Sequence, residues 1–203
     1  RVPSKQCPDN KIDILYQNVR GLSTKIKLFA ESVLAMPYNL FALTETWLND
    51  SVSNVELFAD GFSVVRTDRG SGRRCVGILL IGHAPLQLAP LDAGACGDDE
   101  CVFVSVSHLA TRVIICVVYV PPSACDSRYL SIFKLIENIC HGEYCYNIIV
   151  LGDFNLYSAS QLVVNHFGCI SSYCKFQHYN EGLIVAGGSW TLCCARSPVR
   201  AIA

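Results

Sequence analysis

Apolar residues along this chain fall into short blocks with two kinds of spacing. "KIDILYQN" (11–18) and "YNLFALTET" (38–46) read as buried strands, and between them "STKIKLFAESVLAM" (23–36) has helical spacing at Ile26, Phe29, Val33 and Leu34. Ser/Thr at its start and Pro37 after its end supply a cap and a stop. "FSVVRT", "CVGILLIG", "CVFVSVS" and "RVIICVVYV" then follow as consecutive strands joined by turns bearing Gly, Asp and Pro. "DSRYLSIFKLIENIC" (126–140) predicts a helix capped by Asp126, "NIIVLG" the next strand, and residues around 158–167 a further helix. Helices interleaved with so many strands predict an α/β fold of sheets faced by helices rather than a simple doubly wound sheet.

Composition narrows this to one domain without visible repeats. The chain has 203 residues, 51% hydrophobic and 16% charged, which is enough apolar material for a large core and too little charge for disorder. The longest apolar run, "VIICVVYV" (113–120), is strand-length and far short of a membrane span. The start "RVPSKQ", with Met36 as the only methionine, reads as a piece of a longer frame without a secretory leader. The expectation is therefore a nuclear or cytoplasmic protein. A net charge of −1 gives no global support for nucleic-acid binding, so any such site must be local. The 12 cysteines, most in apolar strands, read as buried thiols. His166, Cys169, Cys174 and His178 have the types for a zinc site, but their spacing matches no zinc pattern.

The chemistry gathers where apolar strands stop. Asn18 ends "IDILYQN", Glu45 ends "LFALTE", Tyr119 ends "VIICVVY", and Asp153 and Asn155 end "IIVLGDFN". Residues two apart on a strand share a face, so Asp153 and Asn155 are expected to project together while Phe154 turns into the core. A polar junction with an Asx turn accounts for that pair without any function. Taken together, though, two carboxylates, two amides and a phenol at carboxyl ends of strands suit phosphodiester hydrolysis. Hard divalent cations take carboxylate oxygens, a second carboxylate can orient or deprotonate water, and amide and phenol donors meet the charge that grows on phosphate.

"QNVRGL", "LTETWL", "VVYVPPS" and "LGDFN", in this order and spacing, resemble the endonuclease/exonuclease/phosphatase superfamily. "ADGFSVVRTDRGSGRRCVGILL" makes the resemblance more particular, to the apurinic/apyrimidinic-type endonuclease domain of non-LTR retrotransposons. The likeness covers about residues 11–160, within a domain taken as 11–180. It implies a four-layer α/β sandwich of two packed mixed β-sheets flanked by helices, deoxyribonuclease-I-like and incomplete at the C-terminus. It also implies a Mg2+ (or Mn2+) cofactor, target DNA as substrate, a reverse transcriptase domain in the full-length element, and no membrane. Glu45 is then the main metal ligand, and Asn18 binds the scissile phosphate or the metal's water shell. Tyr119 contacts the phosphate, Asp153 orients the nucleophilic water and Asn155 stabilises the transition state. Arg66, Arg69, Arg73 and Arg74 form a phosphate-contacting patch or, equally, a solvated hairpin tip.

The resemblance fails at the C-terminus. The superfamily completes its site with a Ser-Asp-His block, and no Asp-His pair occurs here; His83, His108, His141, His166 and His178 all lack that context. Instead of a Gly-Arg-Leu-Leu-Asp-Leu-Val-Leu-like strand the chain reads "VAGGSWTLCCARSPVRAIA". Reading two nucleotides later, the codons of Trp190 and Thr191 give Asp, and their neighbours can restore the apolar strand. Residues 181–203 are therefore read as an out-of-frame tail, with 185–203 expected to pack poorly. The expectation is an impaired retrotransposon endonuclease. The alternatives are a phosphatase of the same superfamily, which the Arg turn and "YVPPS" weigh against, and a non-catalytic DNA-binding remnant, which the missing histidine favours.

Overall fold

Each long apolar run becomes a strand covered on both faces. In the computed structural model the described residues are 12–58, 61–68, 77–92, 101–108, 111–141, 147–178, 191–195 and 201–202. The first sheet holds β1 (Ile14–Asn18), β2 (Leu40–Thr44), β3 (Phe62–Thr67), β4 (Ile78–His83) and β11 (Ala201–Ile202), in the order β11-β1-β2-β4-β3. The second holds β5 (Gln87–Pro90), β6 (Cys101–His108), β7 (Thr111–Tyr119), β8 (Asn147–Asp153), β9 (Gln177–His178) and β10 (Thr191–Ala195), in the order β5-β6-β7-β8-β10-β9. Both sheets are mixed: β1 runs parallel to β2 and β7 to β8, while β2–β4, β3–β4, β5–β6 and β6–β7 are antiparallel.

The parallel pairs β1–β2 and β7–β8 each need a crossover, and helices supply both, while β11 joins β1 in parallel from the end of the chain. α1 (Ile26–Ala35) carries the chain from β1 to β2, and α3 (Asp126–His141) from β7 to β8. A short α2 (Asn54–Leu57) follows β2, and α4 (Gln161–Tyr173) follows β8. Alternate residues then enter different cores. On β7, Val113, Ile115 and Val117 face the other sheet, while Ile114, Cys116 and Val118 pack with α3 residues such as Tyr129, Phe133 and Ile136. On β2, Leu40 and Ala42 point between the sheets, and Phe41 and Leu43 pack with Val33 of α1. Three cores separate four layers. That is why these strands read as unbroken apolar runs rather than alternating ones.

Several local expectations shift. α1 begins at Ile26, with Lys25 at its cap position and no side-chain cap bond. The helix expected over 158–167 is a 3-10 turn at Leu156–Ser158 followed by α4, because Ser160 Oγ accepts the Val163 amide and restarts the helix there. β5 was not expected and forms an edge strand.

The tail departs most from expectation. Thr191–Ala195 pairs antiparallel with Asp153–Ile149 of β8, and Ala201–Ile202 pairs with Ile14–Leu15 of β1. These two segments thus join the sheets through their backbone, while the packing expected of 185–203 falls on side chains outside the described ones, as do Trp190 and most of 179–203. Strand pairing is made by backbone groups, so a small, mostly apolar stretch such as "TLCCA" can complete a ladder whatever reading frame wrote it.

Candidate active site

The carboxyl ends of β1, β2, β7 and β8 meet at one end of the sandwich. Past β1 and β2 the chain remains zipped: Val19 N donates to Thr44 O at 3.0 Å, Gly21 N to Glu45 O at 2.7 Å, and Leu22 N to Thr46 O at 2.8 Å. On the other side Thr46 N donates to Gly77 O at 3.2 Å. Holding this shape forces unusual backbone. Among the described residues, five non-glycine positions have positive φ, and Arg20, Glu45, Trp47 and Asn155 are four of them. Each left-handed L-residue costs about 1–2 kcal/mol, and such cost tends to concentrate at functional sites.

Asn18 links the two sheets. Its Nδ2 donates to Glu45 Oε1 at 2.8 Å and to Asp153 Oδ2 at 3.2 Å, while its Oδ1 accepts from Arg20 N at 3.2 Å. Residues 135 apart in sequence are thereby joined through one amide. The bridged carboxylate oxygens lie within about 6 Å of each other, where like charges repel by about 3 kcal/mol at an effective dielectric of 20.

Asp153 ends β8 in register with Tyr119, the last residue of β7, and both are buried. Val120 N donates to Asp153 O at 2.9 Å. Asn155 is left-handed (φ 44°, ψ 38°), so the two-residue strand period does not carry from Asp153 across to it. Its Nδ2 donates to Val120 O at 2.8 Å, and its own carbonyl accepts from Tyr129 Oη at 3.2 Å and Ser158 Oγ at 2.8 Å. Phe154 between them is fully buried in the core, as expected, but Asp153 and Asn155 are buried as well.

Beneath the carboxylates lies a buried pair that the sequence reading missed. The Tyr16 hydroxyl and Thr44 Oγ1 are 2.8 Å apart. Burial pushes the Tyr16 phenol far above its ordinary value, the Thr44 hydrogen bond offsets this in part, and the charges of Asp153 and Glu45 push it further up. Tyr16 therefore stays neutral under the acidic cluster. Its position two before Asn18 on β1 was the available signal.

The arginines divide. Arg66 Nη2 donates to Val52 O at 2.5 Å and Asn49 O at 3.3 Å, and pairs with Asp68 Oδ2 at 2.6 Å, tying β3 to the segment after β2. Burial raises the Asp68 carboxyl, against the opposing pull of Arg66. Arg69, Arg73 and Arg74 lie outside the described residues. Among those described, no histidine side chain joins the cluster: His83 reaches Val33 O, His108 is buried at the far end of β6, His141 packs with Tyr173, and His166 stacks on Phe133. Cys174 is buried and Cys169 exposed, and no three His, Cys, Asp or Glu side chains among the described residues could share a metal ion.

The donor set suits a hard divalent cation. Two carboxylates held close by one amide match the oxygen preference of magnesium, and a cation relieves their repulsion. Glu45 and Asp153 have the charge to hold it, with Asn18 beside them.

No protein-family model matches this chain, nor does any curated protein sequence. Solved structures do. An endonuclease/exonuclease/phosphatase family protein from Bacteroides thetaiotaomicron superposes with a TM-score of 0.62 at 11% identity, over 91% of this chain and 81% of that one. The chain has that fold, the deoxyribonuclease-I-like sandwich. The endonuclease domain of TRAS1, a telomere-specific non-LTR retrotransposon, matches with a TM-score of 0.57 at 14% identity, covering 90% of this chain and 83% of that one. An AP endonuclease from Archaeoglobus fulgidus matches at 0.59 and 13% identity, covering 90% and 86%. No helix among the described residues is long and apolar enough to cross a membrane.

Proposed function

We propose that this chain is the endonuclease domain of a non-LTR retrotransposon, cutting target DNA by magnesium- or manganese-dependent phosphodiester hydrolysis. The reading rests above all on the Asn18 amide shared by Glu45 and Asp153, which brings two carboxylates from different sheets to one point. The fold shared with TRAS1 and with AP endonucleases supports it. Glu45 holds the cation with Asn18 alongside, and Asp153 orients the attacking water and takes up its proton. Tyr119 and Asn155 border the phosphate, where donors gain strength as its charge grows. Magnesium, when bound, polarises the phosphoryl oxygen and neutralises that charge. In the full-length element a reverse transcriptase domain would extend the nick, which places the protein's work in the nucleus or the cytoplasm.

The chain as written is impaired. The histidine that the superfamily supplies has no counterpart here, and losing one such group from a preorganised site lowers the rate by about a hundred- to a thousandfold. Magnesium-dependent nicking of supercoiled plasmid should therefore be near background. A version with the shifted frame restored after residue 181 should nick, and Glu45→Ala or Asp153→Ala in that version should abolish it. Brisk nicking by the 203-residue chain itself, lost on Asp153→Ala, would show that the histidine is dispensable. An inert restored version would overturn the endonuclease reading and leave the non-catalytic remnant.

A further inference from the structure

Three aromatic side chains are exposed among the described residues: Trp47, Tyr157 and Tyr173. Tyr173 ends α4 and packs on the His141 ring at 4.9 Å, far from the carboxylates. The other two follow candidate site residues closely along the chain. Trp47, 45% exposed, lies two residues beyond Glu45 on the loop of the first sheet. Tyr157, 59% exposed, lies two residues beyond Asn155 on the loop of the second. Neither has an aromatic neighbour among the described residues.

Both stand on fixed backbone. Trp47 has φ 53°, and its ring lies so close over Gly21 that a Cβ there would come within 2.6 Å of it. Tyr157 sits in the 3-10 turn that Ser158 ties back to Asn155 O through both its amide, at 3.0 Å, and its hydroxyl, at 2.8 Å. Folding gains nothing from leaving large rings in water, where each Å² of apolar surface forgoes about 25 cal/mol. A ring held firmly and left open is a platform.

We propose that Trp47 and Tyr157 stack on the bases that flank the scissile phosphate, one ring from each sheet, so that the site takes a DNA strand whose bases are locally unstacked. The proposal rests on the endonuclease reading. It deepens that reading by naming the substrate's form. Every internal phosphate of a DNA strand has a base to either side, and each base offers a flat face that an aromatic ring can take without regard to sequence. A phosphoinositide headgroup offers no such face. Arg20, exposed beside Gly21, adds positive charge on the Trp47 side.

The test uses Trp190→Phe, which leaves Trp47 as the sole tryptophan of the two in the chain. A short single-stranded oligodeoxynucleotide, in calcium to suppress cleavage, should quench Trp47 fluorescence, whereas inorganic phosphate and inositol phosphate should not. Trp47→Ala and Tyr157→Ala should each weaken oligonucleotide binding about tenfold, in line with stacking measured by alanine substitution. Trp47→Phe and Tyr157→Phe should stay near wild type. An oligonucleotide of the same length lacking its bases should bind the alanine variants and the parent equally. Equal weakening of normal and base-free strands by Trp47→Ala would mean that the ring merely braces the Gly21 loop, and the stacking proposal would fall. If the frame-restored version nicks through Asp153 while the alanine variants bind DNA as the parent does, stacking alone is wrong. If it neither binds nor nicks DNA, the endonuclease reading fails and takes stacking with it.

Discussion

Asn18 owes its importance to a geometry in which one side-chain amide satisfies two acids at once. Below it, Tyr16 shows how an acidic cluster governs its surroundings. In the folded chain the Tyr16 phenol holds its proton well above the ordinary value of 10.0, because burial and the nearby carboxylates disfavour a third negative charge. In the unfolded chain it ionises near pH 10. Above that pH the unfolded state binds fewer protons than the folded state, so stability falls as pH rises. Tyr16→Phe removes this part of the alkaline decline and gives up the Thr44 hydrogen bond. The variant should be less stable than the parent by about 1 kcal/mol near neutrality. The gap should narrow at about pH 11. Denaturant titrations at the two pH values decide it, and a constant gap would mean that Tyr16 ionises freely in the fold.

The pairing of β7 with β8 aims the second carboxylate. Gly152, opposite Val118, approaches β7 so closely that an added Cβ would fall 2.0 Å from the Val118 carbonyl oxygen. Only glycine fits there, one residue before Asp153. Gly152→Ala should cost about 2 kcal/mol or more, as overpacked cores do, and should move Asp153 away from Asn18. A lower denaturation midpoint together with loss of nicking in the frame-restored version is the expected outcome. Unchanged stability would mean that β8 can shift sideways freely. Asn155 makes a related point about elements. Its left-handed turn ends the strand, and its amide is turned onto Val120 O, so it belongs as much to the anchoring of the loop as to the site.

Across the whole molecule, the last residues close what would otherwise be open edges. β10 covers β8, and β11 covers β1, the two strands that end in Asp153 and Asn18. Ending the chain after His178 should leave β8 with unpaired backbone groups on that side, an invitation to self-association. Hydrogen exchange at the β8 amides that face β10 should rise at least about tenfold, with larger species on gel filtration. Exchange identical to that of the full chain would mean that β10 contributes no protection.

Much of the architecture was legible in the order of residues. Unbroken apolar runs required strands buried on both faces, and the polar residues Asn18, Glu45, Tyr119 and Asp153 marked their carboxyl ends, because an apolar core gives no reason for such side chains within a run. Other features followed only from tertiary structure. That Asn18 lies within one hydrogen bond of both Glu45 and Asp153 depends on how two sheets stack, which no local spacing encodes. Arg66 read equally as a phosphate contact or as part of a solvated hairpin tip, and the fold gives its guanidinium partners in Val52, Asn49 and Asp68, which no local spacing announced. The pairing of "TLCCA" with β8 was likewise decided by the sheet: an open ladder selects for backbone reach, and the side-chain pattern of the tail gave no sign of it.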